Sequence, residues 1–335
     1  MGRLTYASSG VDREGRAKAK QRLTPLLETR RFSRRGQILI TPYNDLYSIG
    51  GGKYQVKTCD GVGTKVLLAE AANKHDTIGI DAVAMVVNDA LRCGARPIAL
   101  TDVIDVKKST PELLSALAEG LAKGAEESEC PFVGGETADV PELMSAAYHI
   151  NCDCVGEVDK DAIIDGSKIK PGDAVIGLRS SGLHSNGISL ARKALFRRWG
   201  GRHDERKERE LLLEALTPTK IYVRQFFRLM EKIELLGAVH ITGDAYLKFR
   251  KISKYGFHFN NFKPHPIFGK IMEAGNVELP EMFKTFNMGW GFAVIVRNEN
   301  VDAALQALGE DAERIGDVVE SGITIECGGS KFAIA

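Results

Sequence analysis

The sequence has no long apolar run and no excess of charge of either sign. No stretch of its 335 residues approaches the ~20 apolar residues that span a bilayer, and residues 1–21 lack the apolar core of a secretion signal. Lys and Arg total 45 against 44 Asp and Glu, so no overall field attracts nucleic acid or an anionic membrane. These absences predict a cytoplasmic protein without nucleic-acid or membrane partners, whose chemistry lies in local sites.

Cysteine is scarce and scattered. The six cysteines form no Cys-x-x-Cys pair, which argues against both a disulfide framework and a zinc site. Cys152 and Cys154 lie two residues apart on a predicted strand, and we expect both to be buried, reduced thiols. A hydrophobic content of 44% is enough to fill two cores of ordinary size.

Strand-like runs alternate with helical patterns, which predicts an α/β or α+β fold. In the first half, the patterns predict strands at 54–59, 97–103, 131–133 and 146–155, and helices at 64–73, 81–93 and 111–128. In the second half they predict strands at 174–178, 238–242 and 292–296, and helices at 187–199 and 219–236. The polar, turn-forming stretch 165–173 separates the two, so we expect domains at 1–168 and 169–335.

A glycine-containing loop follows the first predicted strand and precedes a helix. Its residues are Asp60, Gly61, Val62, Gly63, Thr64 and Lys65. Backbone amides in such a turn can face an anion, while Asp60 is a candidate Mg²⁺ ligand, Thr64 a helix cap and Lys65 a point charge for phosphate oxygens. The loop is neither a Walker A sequence nor a dinucleotide fingerprint. An ordinary tight turn is the alternative interpretation.

The helix that follows carries a polar face. At about 100° per residue, Asp81, Asn88 and Arg92 fall together and Asp89 lies about 80° away. Across a cleft, this face would suit a metal ion that bridges phosphates. A solvated polar face is the alternative. Gly94 ends the helix before an apolar strand, which favours the first interpretation.

Two further clusters join glycines to polar side chains. The first comprises Gly134, Gly135, Glu136 and Thr137, with Glu136 a candidate metal ligand. The second cluster lies between a predicted strand and the start of a predicted helix. Its hydroxyls and the helix amides could therefore bind a sugar phosphate. It comprises Ser180, Ser181, Gly182, His184, Ser185, Asn186 and Gly187. His184 is either a proton carrier near neutral pH or only a hydrogen-bonding residue.

The order of these motifs resembles one family along nearly the whole chain. Motifs similar to those of the phosphoribosylformylglycinamidine cyclo-ligases lie at residues 6–12, 60–65, 78–89, 134–137, 180–187, 275–278 and 285–291. Thiamine-monophosphate kinases share the fold and are the alternative enzyme class, but the sequences at 184–187 and 285–287 favour the cyclo-ligases. A nucleotide-binding homologue without catalytic activity is the alternative outside the enzymes.

The resemblance implies a two-domain fold of the α/β (α+β) type. The four-stranded sheet of the N-terminal domain would pair with that of a second copy to close a barrel in a homodimer, and a C-terminal α/β domain would follow. The implied reaction, in purine biosynthesis, converts formylglycinamidine ribonucleotide and ATP to aminoimidazole ribonucleotide, ADP and phosphate. The substrate is a sugar phosphate, and Mg²⁺ would accompany ATP.

The resemblance also implies a set of site residues. ATP would lie near the loop 60–65, the cluster 134–137, Asn88 and Asp89. The implied metal ligands are Asp60, Asp89 and Glu136. The substrate would lie toward the loop 180–187, Thr242 and Asn287. The catalytic candidates are Lys65, His184 and His240, and the resemblance does not identify the general base among them.

One segment departs from the family pattern. The family continues His-Ile-Thr-Gly with two further glycines and an Asn-x-Pro-Arg sequence, whereas residues 244–251 here read Asp-Ala-Tyr-Leu-Lys-Phe-Arg-Lys. Asp244 is therefore an added metal ligand, a partner for Lys248 or Arg250, or a solvated loop residue. We expect the solvated state, because nucleotide phosphates would repel the carboxylate unless Mg²⁺ lay between them.

Overall fold

The computed structural model describes residues 3–26, 29–34 and 37–334. The helices of the N-terminal half are α1 (Arg13–Leu26), α2 (Val66–Ala72), α3 (Ile78–Leu91) and α4 (Pro111–Ser128). Its strands are β1 (Ile38–Leu39), β2 (Leu46–Gly50), β3 (Lys53–Gly61), β4 (Arg96–Val106), β5 (Phe132–Asp139) and β6 (Tyr148–Asp159). Within the described ranges, no helix is both long enough and apolar enough to cross a bilayer.

The C-terminal half continues the alternation of helices and strands. Its helices are α5 (Ile188–Leu195), α6 (Arg209–Ala215), α7 (Val223–Met230), α8 (Phe249–Ile252), α9 (Pro266–Gly275), α10 (Leu279–Thr285) and α11 (Val301–Leu308). Its strands are β7 (Ala174–Arg179), β8 (Gly237–His240), β9 (Gly256–Phe259), β10 (Trp290–Val296), β11 (Ala312–Val319), β12 (Ile323–Cys327) and β13 (Ser330–Ala333).

The N-terminal half is built on a six-stranded sheet ordered β1-β2-β3-β6-β4-β5. β4 and β5 are parallel, and the other neighbouring strands are antiparallel. Helix α3 packs against β3, β4 and β6 with Val83 and Val86 fully buried, and α4 packs against α3. Cys152 and Cys154 of β6 are buried free thiols, as predicted. The family resemblance implied four strands, and β1 and β2 extend that sheet at one edge.

The C-terminal half is built on a second sheet, ordered β13-β12-β9-β11-β7-β10-β8. β9 and β12 are parallel, and the other neighbouring strands are antiparallel. Every residue of β10 is buried, which agrees with the continuous apolar run from which a strand was predicted at 292–296. The mixed α/β architecture predicted from the sequence is therefore confirmed in both halves.

Two predicted elements differ most in extent from the structure. The strand predicted at 131–133 extends to Asp139, because residues 134–139 pair with β4, so the glycine cluster lies on an edge strand and not in a loop. The helix predicted over 219–236 is confined to α7, since the amides of Thr219 and Tyr222 bond to side chains of the N-terminal half.

The first residues of the chain pack on the C-terminal half. Leu4 N donates to Gly275 O at 3.2 Å, and the Arg13 guanidinium donates to Lys284 O at 2.6 Å and to Glu281 Oε1 at 3.2 Å. The N-terminal segment therefore belongs to the predicted N-terminal domain in sequence but packs on the C-terminal half. It forms one side of the space between the two halves.

Candidate active site between the two halves

The polar face of α3 lies against the C-terminal half. Asp81 is fully buried there. Its Oδ1 accepts hydrogen bonds from Lys65 Nζ (2.8 Å) and Ser185 Oγ (3.0 Å). The same oxygen accepts from the amide and the hydroxyl of Thr219, at 2.7 and 2.6 Å. One carboxylate oxygen therefore ties a loop of the N-terminal half to two loops of the C-terminal half.

Lys65 does not present its charge to open space. Its side chain is fully buried, and its ammonium pairs with Asp81 and also donates to Thr217 O at 2.8 Å. Burial lowers the pKa of Lys65, while Asp81 opposes that shift. In this arrangement the lysine joins the two halves, and its pairing with Asp81 does not favour the predicted role as a point charge for phosphate oxygens.

Asn88 is also part of this interdomain contact. Its Nδ2 donates to Lys220 O at 2.9 Å, and its Oδ1 accepts from Tyr222 N at 3.0 Å. The side chain is fully buried, so the prediction of Asn88 as an ATP contact is not supported by its position. The Nδ2 and Oδ1 atoms of its side-chain amide thus each bond to a backbone group that would otherwise be buried without a partner.

Asp89 connects α3 to the C-terminal half near the opening between them. Its Oδ1 lies 2.8 Å from His240 Nδ1, its Oδ2 lies 2.7 Å from the Arg92 guanidinium, and 17% of its side chain is exposed. Burial alone would raise the pKa of Asp89, but Arg92 and His240 outweigh it and hold that pKa well below its ordinary value. Asp89 is therefore an anion at neutral pH.

His240 is fully buried and held by Asp89. Because a carboxylate anion only accepts hydrogen bonds, Nδ1 of His240 carries the proton and Nε2 keeps its lone pair. Nε2 has no hydrogen-bond partner among the described residues. Burial lowers the pKa of His240 to about 4, although Asp89 opposes the shift, so the ring is neutral at pH 7.

Acid should destabilise the protein partly through His240. Its pKa is about 4 in the folded protein and ~6.5 in an unfolded chain, so the unfolded chain binds more protons between these values. The stabilisation is fully present above pH ~6.5 and is lost as the pH falls toward 4. We expect His240→Asn, whose amide can still donate to Asp89, to flatten the pH dependence of the urea midpoint in this window.

The wild-type protein, measured in parallel, gives the reference dependence of the urea midpoint on pH. An unaltered slope between pH 4 and 6.5 in the His240→Asn variant would show that His240 does not titrate as the structure indicates.

Asp60 lies at the end of β3, at the rim of the same region. Its Oδ1 accepts from Gly61 N at 2.8 Å. Burial raises the pKa of Asp60, Asp89 adds to the increase, and Lys248 and Arg92 oppose it. These interactions indicate that the two carboxylates and the two cations share one electrostatic environment.

The rest of the 60–65 loop is a compact turn. Gly63 adopts a φ of +56°, which favours glycine, and Val62 is fully buried. The predicted helix cap at Thr64 is wrong, because its Oγ1 bonds to Ser189 Oγ of α5 at 3.1 Å. The loop therefore serves as a contact between the halves as well as a candidate phosphate-binding turn.

Lys248 is a site residue that the sequence patterns did not single out. Its Nζ donates to His240 O at 3.2 Å and to Thr242 Oγ1. Burial lowers the pKa of Lys248 to about 8, with Asp89 opposing the shift. In the sequence, only the departure from the family pattern at 244–251 draws attention to this segment. That departure suggests Lys248 as a possible partner for Asp244 and not as a site residue.

A cavity of about 1180 Å³ opens beside Lys248, between α1, the segment that begins at Asp244, and α10. Its lining includes seven Lys or Arg residues and four Asp or Glu residues. An excess of positive charge in a concave space attracts anions, so the cavity suits a phosphorylated ligand.

Asp244 pairs with the N-terminal segment. Its Oδ1 lies 3.3 Å from Arg13 Nε and 3.4 Å from the Arg16 guanidinium, and 39% of its side chain is exposed. Asp244 is therefore not the solvated residue that we expected, and its partners are not Lys248 or Arg250, the alternatives considered. Asp244 and Ala245 have φ values of 68° and 40°, the left-handed region in which glycine is favoured, which fits the glycines that the family carries here.

Glu136 lies apart from the other predicted metal ligands. Across the sheet, Asp60 aligns with Cys152, Asp102 and Gly135, so Asp60 and Gly135 are three strand intervals apart, about 14 Å at ~4.8 Å per strand. Glu136, the next residue, points to the opposite face of the sheet. Among the described residues, no three His, Cys, Asp or Glu side chains cluster as a metal site. The predicted Asp60, Asp89 and Glu136 trio is therefore wrong within one chain.

The 180–187 loop is mostly an internal support. Ser180, Gly182, His184 and Gly187 are buried. His184 Nε2 accepts from Ser181 N at 3.2 Å, and burial together with the nearby His240 holds the pKa of His184 well below its ordinary value. The predicted proton-carrier role of His184 is therefore not supported.

Two other predicted substrate contacts differ in their surroundings. Asn287 is buried and donates to Gly182 O at 2.8 Å, so it supports the 180–187 loop from behind. Asn186 Oδ1 accepts from Gly243 N at 2.8 Å, close to Thr242 and the segment that carries Lys248. Of the predicted substrate-binding set, Asn186 and Thr242 are therefore the residues linked to the Lys248 segment.

Comparison with known proteins gives matches along the whole chain. The family described as AIR synthase related protein, N-terminal domain, matches residues 43–158, and its C-terminal domain matches residues 170–328. The phosphoribosylformylglycinamidine cyclo-ligase of Pyrococcus furiosus is 44% identical over 338 residues, covering 98% of this chain and 99% of that protein. Its counterpart from Pyrococcus horikoshii is 43% identical, covering 95% and 96%.

A solved structure shares the fold at low sequence identity. The hydrogenase maturation protein HypE in complex with ATP has a TM-score of 0.62 at 18% identity, with coverage of 95% of this chain and 94% of that one. At this level of identity the likeness concerns the fold.

Proposed function

The chain belongs to the AIR synthase related protein family, and on that premise we propose that it catalyses the ATP-dependent cyclisation of formylglycinamidine ribonucleotide to aminoimidazole ribonucleotide, with release of ADP and phosphate, in purine biosynthesis. The observation that carries the proposal is the identity of 44% over nearly the full length to a cyclo-ligase. Within the structure, the cleft where Asp60, Asp89, His240 and Lys248 meet is the proposed site, and the domains are proposed at 1–168 and 169–335.

ATP binding is supported by the positive cavity, by the glycine turn at 60–65 and by the fold shared with an ATP complex. Mg²⁺ in nucleotide sites uses one or two carboxylates together with phosphates and water. Asp60 fits this pattern, since it lies at the rim and the structure gives it one hydrogen bond, at Oδ1. Asp60 would hold the metal, with Asp89 beside it, and the metal would neutralise phosphate charge.

The chemistry requires that an amide oxygen become a good leaving group. In the proposed sequence the amide oxygen of the substrate attacks the γ-phosphorus, so that an O–P bond forms and the bond to ADP breaks. The amidine nitrogen then attacks the carbon that carries the phosphorylated oxygen, and a C–N bond forms. Phosphate leaves with the C–O electron pair, and the nitrogen loses a proton. The protein holds both ends of the substrate in attack geometry and limits access of water.

His240 is the better supported of the two histidines predicted to move this proton. Both rings are buried, but Nε2 of His240 has no hydrogen-bond partner among the described residues, whereas Nε2 of His184 accepts from the Ser181 amide. Burial lowers the pKa of His240 to about 4 even with the Asp89 anion beside it, so the ring is neutral before the proton is transferred, and Asp89 orients the ring through Nδ1. Asp89 is thus a positioning residue for His240 in this proposal.

A homodimer is also part of the proposal. Tyr47, Ile49 and Val103 point to the face of the first sheet opposite α3, and they are 46, 44 and 40% exposed. Exposed apolar side chains that share one face mark an interaction surface. The same face of a second copy is the proposed partner, in line with the barrel that the family resemblance implies.

The proposed function is tested by measuring ADP release with and without formylglycinamidine ribonucleotide. We expect release to depend on the substrate. In Asp60→Asn, the Mg²⁺ concentration for half-maximal release should rise, with a loss of about 10–100-fold in affinity or activity. Asp102→Asn, on the same row of the sheet two strands away, should behave as wild type.

ADP release that proceeds at the same rate without the substrate would contradict the cyclo-ligase activity. A wild-type Mg²⁺ requirement in Asp60→Asn would contradict only the assignment of the metal ligand.

A further inference from the structure

The site contains a cation for which the predicted motifs give no role. The motif lysine, Lys65, is enclosed and paired with Asp81, so its charge is already balanced within the protein. A transferred phosphoryl group needs positive charge close to its oxygens. A second cation of the site could add to the charge that the proposed Mg²⁺ supplies.

Lys248 has the geometry for this task. Its ammonium donates to the carbonyl of His240 and the hydroxyl of Thr242, which are both uncharged. An ammonium has three N–H donors, so these two bonds leave one donor for a ligand. No carboxylate of the described residues lies within ion-pair distance of Lys248 Nζ, in contrast to Lys65. Lys248 thus has an available donor and no direct carboxylate partner among the described residues.

The surroundings of Lys248 orient that charge toward the candidate site. Asp60 and Asp89 interact with it favourably, and Arg92 and Lys251 interact unfavourably. The side chain also lines the positively charged cavity. The main chain of this residue is fixed as well, because Tyr43 Oη donates to Lys248 O at 3.1 Å. Lys248 therefore stands where the carboxylate pair meets the cavity.

We propose that Lys248 contacts the phosphate oxygens of ATP and stabilises the phosphoryl group during its transfer, the role that the sequence motif predicted for Lys65. This inference rests on the proposed function. It makes the 244–251 segment, which departs from the family pattern, a contributor of a binding residue to the site.

The test compares three variants of Lys248 with a control outside the cavity. Lys248→Met removes the charge, Lys248→Gln removes the charge but keeps N–H donors, and Lys248→Arg keeps the charge. Lys123→Met removes the charge of an exposed lysine of α4 that does not line the cavity. The measurements are binding of a nonhydrolysable ATP analogue with Mg²⁺ by calorimetry, KM for ATP, KM for the ribonucleotide substrate, kcat and thermal stability.

We expect Lys248→Met and Lys248→Gln to weaken binding of the analogue and to raise KM for ATP by about 10–100-fold, because a charge-assisted contact to phosphate is lost. Lys248→Arg should recover most of the binding, and Lys123→Met should remain within about twofold of wild type. The thermal stability of Lys248→Gln should match that of wild type, so that the loss is one of binding and not of folding.

Two outcomes would overturn the inference. Wild-type analogue binding in Lys248→Gln would show that the ammonium does not contact ATP. An increase confined to KM for the ribonucleotide would assign Lys248 to the phosphate of that substrate. Failure of the proposed function would look different, because wild-type ADP release would then be independent of the ribonucleotide while analogue binding still depended on Lys248.

Discussion

Replacing Lys65 by methionine is expected to lower the free energy of unfolding by about 3–5 kcal/mol, the usual cost of leaving one partner of a buried ion pair without its counter-charge. In this protein the group left without a counter-charge is the Asp81 carboxylate. It is fully buried and accepts hydrogen bonds from Lys65, Ser185 and Thr219. The urea midpoint is the measurement. If Lys65 were instead only a point charge for phosphate oxygens, as the sequence motif suggests, the variant would lose ATP-dependent turnover with little change in stability.

Two controls separate the ion pair from other effects. Adding Asp81→Asn to Lys65→Met removes the stranded charge and should recover much of the lost stability. Lys57→Met breaks a pair with Asp153 in which the lysine is 71% exposed, and it should cost under ~1 kcal/mol. A Lys65→Met variant with wild-type stability that no longer binds a nonhydrolysable ATP analogue would return Lys65 to the phosphate-binding role.

Asp89→Asn is expected to reduce kcat by about 10–100-fold, because it removes the charge that orients and stabilises His240. It should also lower the free energy of unfolding by about 1–3 kcal/mol, since the Arg92 guanidinium loses its carboxylate partner. An exposed polar residue with no such partner would change the free energy of unfolding by under ~0.5 kcal/mol. Steady-state kinetics and urea unfolding measure the two effects separately.

Arg92→Met is the matched control for Asp89→Asn. It breaks the same ion pair but leaves the contact between Asp89 and His240 in place. We expect a comparable loss of stability with a much smaller loss of kcat. Equal losses of kcat in the two variants would mean that Asp89 acts only through the ion pair and has no separate role in the reaction.

The sequence predicted regular elements best where local signals mark both ends. Helix α4 has the predicted bounds of 111–128, because Thr110 Oγ1 accepts from Leu113 N at its start and Glu129 takes a left-handed conformation at its end. β5 was predicted too short, since two adjacent glycines resemble a turn. Its continuation depends on pairing with β4, which no local pattern reveals.

The candidate site was predicted less well, for a definite reason. Periodicity grouped Asp81 and Asn88 on one helix face, and that grouping is correct, but it cannot tell whether solvent, a ligand or another part of the chain covers the face. Here the C-terminal half covers it, through Thr219 and Tyr222. Lys248 was missed for a related reason, because its position beside His240 follows from the tertiary fold and not from a recognisable motif.

A crystal structure with a nonhydrolysable ATP analogue and Mg²⁺ tests most directly whether the cleft between the two halves is the nucleotide site. The account predicts that Asp60 contacts the metal, that Lys248 Nζ lies within hydrogen-bonding distance of a phosphate oxygen, and that Lys65 remains paired with Asp81. A structure in which Lys65 leaves Asp81 to contact a phosphate while Lys248 stays on Thr242, or in which the nucleotide binds outside this cleft, would contradict it.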